Sequence, residues 1–354
     1  MRIALAFLLA ACICDGQKPD TESLFNQALS AQQLGDLETA IVGYERVLKL
    51  MPNLVPARAN LAAAQMQLGR TEQAIDNYRA ALKAAPDDAQ LTLLYANALT
   101  ELSRYSDVTK VLGPFEKTHP ENLDAAFLLG EALIHVQRPR DGLALVEHVA
   151  KARNDANAYL LAGLTRMQLT EYTEAKARAD EAVRLEPANA AAWTLDGMAN
   201  AACGNVKQAE ADYQKAIQLS PNDFDANLRL GTLLLRMDED IEGAKPYLER
   251  ALQVDPSSLS ARFEVARVQA ALKDDSAAMA NLEQVVSRKP DATEAHVQLS
   301  ILYARAKRKE DAKHEREIVD RLMAAERESA LSGHQQSKNA EDELNAFTSA
   351  SPLR

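Results

Sequence analysis

The stretch "AAWTLDGMANAACGNVKQAEADYQKAIQLSPND" (Ala191–Asp223) predicts two helices that are joined by a tight turn and ended by a proline. The first half is rich in Ala and the second in Ala, Gln and Lys, which favour helix. The Gly204–Asn205 turn separates them, because glycine tolerates the positive φ with which helices commonly end. Pro221 cannot continue the second helix and pushes the residue before it out of the helical region. The stretch is therefore predicted to form one helix–turn–helix unit.

Prolines that close such units recur along the chain with a nearly constant spacing. They are Pro52, Pro86, Pro120, Pro187, Pro221, Pro256 and Pro290, at intervals of 34, 34, 67, 34, 35 and 34 residues. The longest interval is two periods without the proline between them, which is missing near Lys151–Asp155. A fixed period of this length predicts a stack of structural repeats.

Small residues recur at fixed places within the period. When each unit is numbered from the start of its first helix, beginning at Thr21, the eighth position holds Ala28, Ala62, Ala96, Gly130, Gly163, Gly197, Gly231, Ala266 and Ser300. Alanine occupies the twentieth position in six units, at Ala40, Ala74, Ala175, Ala209, Ala278 and Ala312, and Ala244 follows one place later in a lengthened unit. Small side chains let two helix backbones approach closely, so these positions predict where paired helices cross.

The pattern resembles the tetratricopeptide repeat family over residues 21–326, with Trp193 at the family's tryptophan position. The resemblance implies an all-α fold, a right-handed superhelical solenoid of about nine helix–turn–helix repeats. Each pair buries its apolar face against its neighbours, and the end of the stack needs a polar cap. We expect the capping helix to continue to about residue 331. The tail over residues 332–354 is rich in Ser, Gln, Asn and Ala, and we expect it to be disordered.

Charge disfavours nucleic acid as a partner. The chain has 51 acidic and 40 basic side chains and a formal net charge of -11, which repels phosphate backbones. The most basic stretch, "ARAKRKEDAKHER" (Ala304–Arg316), is interrupted by Glu310, Asp311 and Glu315. We interpret it as the solvated face of a helix.

Catalytic and metal-binding patterns are not found in the sequence. The six histidines fall at unrelated points of the repeat and form no HExxH motif or metal-ligand spacing. Glycines occur singly, so no phosphate-binding loop is predicted. Cys203, the one cysteine outside the first sixteen residues, is interpreted as a small packing residue. The sequence therefore predicts a non-enzyme without metal or cofactor.

Function is then expected from the concave face, which in this family is lined mainly by the first helix of each pair. The resemblance implies that the second, fifth, ninth, twelfth and thirteenth positions point inward. Candidate groove residues are Asn97, Phe127, Glu131, His135, Leu160, Leu164, Met167, Met198, Leu228, Leu235 and Arg236. An apolar groove of this kind suits a peptide or a protein edge. The alternative is that several of these residues are packed in the core.

One subgroup of the family clamps the C-terminal carboxylate of a chaperone with Lys and Asn at the fifth and ninth positions of its first unit. Phe25 and Leu29 stand at those positions here. A cytosolic chaperone adaptor is therefore disfavoured.

The N-terminus resembles an export signal. Met1 and Arg2 precede the uncharged stretch Ile3–Ile13, which is too short to span a bilayer. Residues 1–16 are predicted to be a signal peptide. Within it "LAAC" (residues 9–12) resembles a bacterial lipoprotein box with Cys12 as the lipidation site. The alternative cleavage is after Gly16, which would leave no anchor.

The combined prediction is a non-catalytic scaffold that binds a partner peptide or protein in its groove, in bacterial envelope assembly or complex formation. The chain is expected to be exported and either periplasmic or anchored to the outer membrane, with a lipid as its membrane contact. The alternative is a cytoplasmic adaptor or a regulatory subunit of an enzyme complex, for example one associated with a glycosyltransferase. No oligomeric state is predicted.

Overall fold

A computed structural model of the chain describes residues 19–237 and 240–328. Within these ranges the chain forms helices joined by short turns and contains no strand, which confirms the all-α prediction. The helices are α1 (Pro19–Gln33), α2 (Leu37–Leu50), α3 (Val55–Gln67), α4 (Thr71–Ala84), α5 (Ala89–Glu101), α6 (Tyr105–Thr118), α7 (Leu123–His135), α8 (Pro139–Arg153), α9 (Ala156–Gln168), α10 (Tyr172–Leu185), α11 (Ala190–Ala202), α12 (Val206–Leu219), α13 (Phe224–Met237), α14 (Ile241–Val254), α15 (Leu259–Ala271), α16 (Asp275–Arg288), α17 (Thr293–Arg305) and α18 (309–328).

Each odd-numbered helix pairs with the helix that follows it, so the described residues contain nine pairs. In most pairs the first helix has 13 residues and the second has 14, as in α11 and α12. The seventh pair carries the extra residue that its sequence predicts, since α13 has 14 residues. Neighbouring pairs pack on one another within each compact part of the chain, which is the arrangement expected for a repeat protein.

Side-chain caps fix where several first helices begin. Asp88, Asn122 and Asp155 each accept a hydrogen bond from the backbone N–H three residues later, at 2.9–3.0 Å. These bonds satisfy N–H groups that have no partner inside the helix. Polar residues therefore mark the start of these units, just as prolines mark their ends.

The turn between the two helices has the backbone conformation that the glycines predict. Gly35, Gly69 and Gly204 have φ of 82°, 73° and 81°, which confirms the predicted helix ends. Five other units adopt positive φ at the same position without a glycine. Their residues are Ser103 (55°), Gln137 (64°), Thr170 (60°), Lys273 (66°) and Lys307 (60°). The turn is thus a property of the pair of helices rather than of the glycine.

Paired helices cross at the small residues. A Cβ added to Gly142 of α8 would lie 2.3 Å from the carbonyl oxygen of Gly130 in α7. A Cβ added to Gly197 of α11 would lie 2.6 Å from the Cε1 atom of Tyr213 in α12. Both distances are far below van der Waals contact, so the prediction of a close helix crossing is confirmed here.

The fourth repeat has no closing proline, and Asn154 ends its second helix instead. Helix α8 stops at Arg153, and Asn154 follows in the left-handed region with φ of 49°. Asp155 then caps α9 through the N–H of Ala158 at 3.0 Å. Asparagine tolerates this conformation better than most residues, so it can end a helix as glycine does.

A hydrogen bond to the closing proline recurs at the fourth position of the following unit. The donors differ in type, but each reaches the carbonyl six residues before it. The bonds are Arg58 to Pro52 (2.8 Å), Trp193 to Pro187 (2.9 Å), Asn227 to Pro221 (3.1 Å), Arg262 to Pro256 (2.7 Å) and His296 to Pro290 (3.0 Å). In these five units the bond ties the start of the first helix to the turn before it.

The chain divides into two compact units, residues 1–186 and 187–354. In the first unit, buried clusters form around Tyr44 and around Tyr78, both at the twenty-fourth position of their repeats. In the second unit, one cluster forms around Tyr213 and Leu248 and another around Leu299. The core of each unit is therefore a row of small clusters between successive pairs, not one central core.

Candidate partner-binding face

The eleven predicted groove residues all lie on odd-numbered helices, and none of them is buried. Four are exposed, namely Asn97, His135, Leu164 and Arg236. Seven are half-buried, namely Phe127, Glu131, Leu160, Met167, Met198, Leu228 and Leu235. All eleven therefore retain surface that a partner could contact, and their assignment to a groove stays a prediction.

In the first compact unit the candidate residues lie on α5, α7 and α9. The ring of His135 stacks on Tyr105, with centroids 4.0 Å apart and planes within 9°. Leu164 leaves 39% of its surface exposed although it is a large aliphatic residue. The face therefore offers both an aromatic stack and aliphatic surface.

In the second unit the candidates border the core. Met198, Leu228 and Leu235 pack against the buried cluster that contains Tyr213 and Leu230. Each of these three side chains contacts the core on one side and keeps the rest of its surface exposed. The interpretation as a groove residue and the interpretation as a core residue therefore both apply to them.

A cavity of about 410 Å³ lies on the same face near the end of the second unit. Arg236 of α13 lines it, together with Phe263 and Arg267 of α15 and Val297 of α17. Met323 of α18 completes the wall and is 42% exposed. The cavity combines an apolar wall with two guanidinium groups.

Phe263, Arg267 and Val297 are absent from the sequence-based candidates, although they occupy the fifth, ninth and fifth positions of the last two units. The rule that selected Leu228 would have found them if it had been carried to the end of the array. Met323 has no such signal, because its place in the wall depends on how α18 folds back.

One buried carboxylate holds the two arginines of the cavity. Glu264 accepts hydrogen bonds from Arg236 and from Arg267, each at 2.7 Å, and its side chain is 8% exposed. Arg236 remains 51% exposed. Glu294 also lines this cavity, so two guanidinium groups and two carboxylates lie close together there.

A second cavity, of about 350 Å³, continues from the first. Both are lined by Phe263, Thr293 and Glu294, and the second also reaches Glu326 of α18. The hydroxyl oxygen of Thr293 is buried without a hydrogen-bond partner. The two cavities together form a groove, which we call the C-terminal groove.

A separate ion cluster joins three helices of the first unit. Glu147 of α8 accepts hydrogen bonds from Arg166 of α9 at 2.8 Å and from Arg178 of α10 at 2.7 Å. Burial by itself raises the pKa of Glu147, but the bonds from Arg166 and Arg178 outweigh it and leave the pKa below its usual value. The carboxylate is ionised at neutral pH and cross-links the two repeats.

The structure tests the prediction for Cys203 but not the predictions for the two ends of the chain. Cys203 is exposed at the end of α11, so the interpretation as a packing residue is wrong. It sits just after the last helical residue, where the turn carries the side chain away from the pair. The signal peptide, Cys12 and the tail over residues 332–354 lie outside the described residues.

The described residues contain neither a group of metal ligands nor a helix that could cross a membrane. Between residues 19 and 328, gaps excepted, no three His, Cys, Asp or Glu side chains are grouped as metal ligands would be. None of the helices in that part of the chain combines the length and the apolar character needed to cross a bilayer.

Part of the chain is similar to a curated protein. The chain is 30% identical over 152 residues to anaphase-promoting complex subunit 3 of Schizosaccharomyces pombe. The match covers 43% of this chain and 23% of that subunit. The chain therefore matches less than a quarter of the length of this relative.

The fold also occurs in a solved structure of another protein. The anaphase-promoting complex hetero-tetramer Cut9–Hcn1 matches over 87% of this chain and 74% of that chain, with a TM-score of 0.55 and 13% identity. YrrB, described as a TPR protein with an unusual peptide-binding site, matches 50% of this chain and 91% of its own, with a TM-score of 0.44 and 22% identity.

Family models described as tetratricopeptide repeat match residues 31–98, 160–224 and 228–281, together just over half of the chain. The matched ranges fall in both compact units. The chain belongs to the tetratricopeptide repeat family.

Proposed function

We propose that this chain is a non-catalytic scaffold that binds a peptide or a protein edge along the face formed by its odd-numbered helices. The observation that carries the proposal is the exposure of large apolar side chains at equivalent positions of several repeats. Leu164 and Ile301, both at the ninth position, are 39% and 42% exposed. Leu160 and Leu228, both at the fifth position, are half-buried.

The free energy for binding comes from covering this surface. Burial of apolar area contributes roughly 25 cal/mol per Å² before the cost of association is subtracted. Repetition matters because each repeat adds a similar patch, so a long partner can be held by many modest contacts. Half-buried side chains also lose little conformational freedom, since the core already restrains them.

The similarity to a subunit of a multiprotein complex supports assembly with other proteins, although it reaches only 23% of that subunit. It supports no particular partner.

Site-specific photo-crosslinking tests the face. A photoreactive amino acid at Leu164 or Leu228 is expected to capture a partner from the native cell. The matched controls are Leu219 and Val254, which are 37% and 40% exposed and lie on even-numbered helices. Equal capture at the test and control positions would contradict the proposal.

We propose further that residues 1–16 direct export, and that the protein acts in the bacterial envelope, either in the periplasm or anchored through Cys12. The support is the apolar stretch and the "LAAC" motif of the sequence. The intact mass and first residue of the mature protein test this. A chain that begins with lipidated Cys12 or with Gln17 would support export, whereas a retained Met1 would favour the cytoplasmic adaptor.

A further inference from the structure

A glutamate lies at the centre of the candidate face in the first compact unit. On α5, α7 and α9, side chains four residues apart share one side of the helix, because four residues make about one turn. Three such rows contain no buried residue, namely Leu93, Asn97 and Glu101 on α5, Phe127, Glu131 and His135 on α7, and Leu160, Leu164 and Gln168 on α9. Glu131 is the middle residue of the middle row.

Contacts between successive repeats show that the rows lie side by side. Helix α7 packs on α5 and on α9. The hydroxyl group of Thr71 donates a hydrogen bond to the carboxylate of Glu101 at 3.4 Å. In the following repeat, the ring of Tyr105 stacks on His135 at the equivalent pair of positions. The rows of α5 and α7 are therefore presented in the same register.

Glu131 has no partner among the described residues. Its side chain is half-buried but makes no hydrogen bond and no ion pair there. The three rows contain two carboxylates, those of Glu101 and Glu131, and no lysine or arginine. The charge at the centre of the face is therefore not balanced by any group of the face itself.

Arginines on the neighbouring helices and turns do not supply the missing charge, because each is bound to another carboxylate. The bonds are Arg104 to Asp107 (2.7 Å), Arg138 to Asp141 (2.7 Å), Arg140 to Glu171 (3.0 Å), Arg153 to Asp124 (2.7 Å) and Arg166 to Glu147 (2.8 Å).

The lysines of α6 and α8 are placed elsewhere. Lys110 pairs with Asp107 at 3.0 Å. Lys117 and Lys151 lie in the last turns of their helices, at the end of the repeat where the first helix begins. Glu131 lies about two turns farther along α7.

An unpaired carboxylate in this place restricts what can cover the face. A partner that covers Glu131 without offering it a positive charge or a hydrogen-bond donor removes its remaining water at a cost in free energy. The neighbouring surface of Phe127, Leu160 and Leu164 favours apolar contacts instead. A partner therefore needs both kinds of group, and the carboxylate selects against partners that are only apolar or acidic.

We propose that the first compact unit binds a segment of a partner protein in which a lysine or an arginine lies between apolar side chains. The cation pairs with Glu131, and the apolar side chains cover Phe127 and Leu164. Glu101, in the neighbouring row, offers a carboxylate to a second basic residue of the segment. The inference rests on the proposed function, because it names the chemistry of the partner for part of the same face.

Selection from a library of short random peptides against the isolated full-length chain tests the proposal. The selected peptides should carry lysine or arginine beside leucine, isoleucine, methionine or phenylalanine. One selected peptide is then compared with a copy in which norleucine replaces the lysine, since norleucine keeps the aliphatic chain and removes the charge. Fluorescence anisotropy should show several-fold weaker binding of the norleucine peptide.

Glu131→Gln links this preference to the proposed site. Glutamine has nearly the same size and no ion pair is lost, so the variant should keep the unfolding midpoint of the parent. It should bind the lysine peptide several-fold more weakly than the parent does and should no longer distinguish the two peptides. The matched control is Glu121→Gln, which removes the same charge from an exposed site in the turn before α7. This control should bind the lysine peptide as the parent does.

Selected peptides without a basic residue, or no selected peptide at all, would overturn the proposal. A preference for lysine that survives in Glu131→Gln would also overturn it. An equal loss of binding in Glu121→Gln would show that net charge alone acts, with the same consequence. Apolar peptides that bind without a basic residue would still support the scaffold function, and partner capture at Leu164 is a separate readout. Failure of this inference is therefore distinguishable from failure of the proposed function.

Discussion

At Thr170 the backbone adopts φ of 60°, although a branched β-carbon disfavours this region. The same position is glycine in three other units. The left-handed conformation costs a non-glycine residue roughly 1–2 kcal/mol. The helix pair therefore imposes this conformation against the preference of the residue.

Replacing Thr170 with glycine should stabilise the first compact unit, residues 1–186. The relief of strain exceeds the backbone entropy cost of glycine, which leaves a gain of about 0.5–1 kcal/mol. The midpoint of urea unfolding of the variant measures it. The reverse change, Gly204→Thr, should lower stability, and the same sign for both changes would contradict the explanation.

A larger residue at the helix crossing should have the opposite effect. Gly197→Leu places side-chain atoms where Tyr213 already lies, since even a Cβ would come within 2.6 Å of its ring. Overpacking of this kind costs about 1–3 kcal/mol. Denaturant unfolding measures the loss.

Ala211→Leu is the matched control for that variant. Ala211 lies in α12 of the same helix pair, and its side chain is exposed. Leucine is a good helix former and meets no buried neighbour there, so this variant should change stability by less than about 0.5 kcal/mol. Equal destabilisation by the two substitutions would contradict the crossing geometry.

Helices α8, α9 and α10 are joined by the ion cluster around Glu147. Because hydrogen bonds from Arg166 and Arg178 hold its pKa below the usual value, the carboxylate stabilises the folded state wherever it is ionised. This stabilisation is present above the unfolded pKa of about 4.3 and is lost as the pH falls through the lower folded pKa.

Glu147→Gln should therefore cost stability at neutral pH and less in acid. The difference in unfolding free energy between the parent and the variant should shrink as the pH is lowered from about 6 to about 3. Denaturant titrations at each pH measure it. A difference that stays constant would show that the cluster contributes through packing alone.

The starts of the first helices show how far sequence could predict an element. Asp88, Asn122 and Asp155 cap helices in the structure, and they are residue types that favour this position, although the repeat pattern did not single them out. The bond to the closing proline was not predictable, because its donors include arginine, tryptophan, asparagine and histidine. Only the shared place of these residues in the folded unit makes them equivalent.

Within each compact unit, a repeat contacts mainly its neighbours, so damage to one repeat should spread only locally. In Gly197→Leu, amide hydrogen exchange should accelerate in α11 and α12 and in the pair that follows them. Exchange in α1–α4 should keep the rate of the parent protein. Uniform acceleration across the chain would contradict local coupling and show one cooperative unit instead.

The assignment of the candidate face stays a prediction, and the position rule behind it was applied to only part of the array. The position rule selected Leu164, Leu228 and Arg236, and all three retain exposed surface. It stopped short of Phe263 and Arg267, although they obey the same rule. Met323 lines the groove because α18 folds back against the array, and no repeat position in the sequence marks it.

The period of prolines and small residues was enough by itself to determine the helix pairs and their repeat family, because these depend on local backbone preferences and on steric fit at a crossing. The tertiary structure decided what each side chain meets. It placed Glu264 within hydrogen-bond distance of two arginines, left Cys203 exposed and forced Thr170 into a left-handed turn. These outcomes depend on contacts between residues far apart in the chain, which no local pattern encodes.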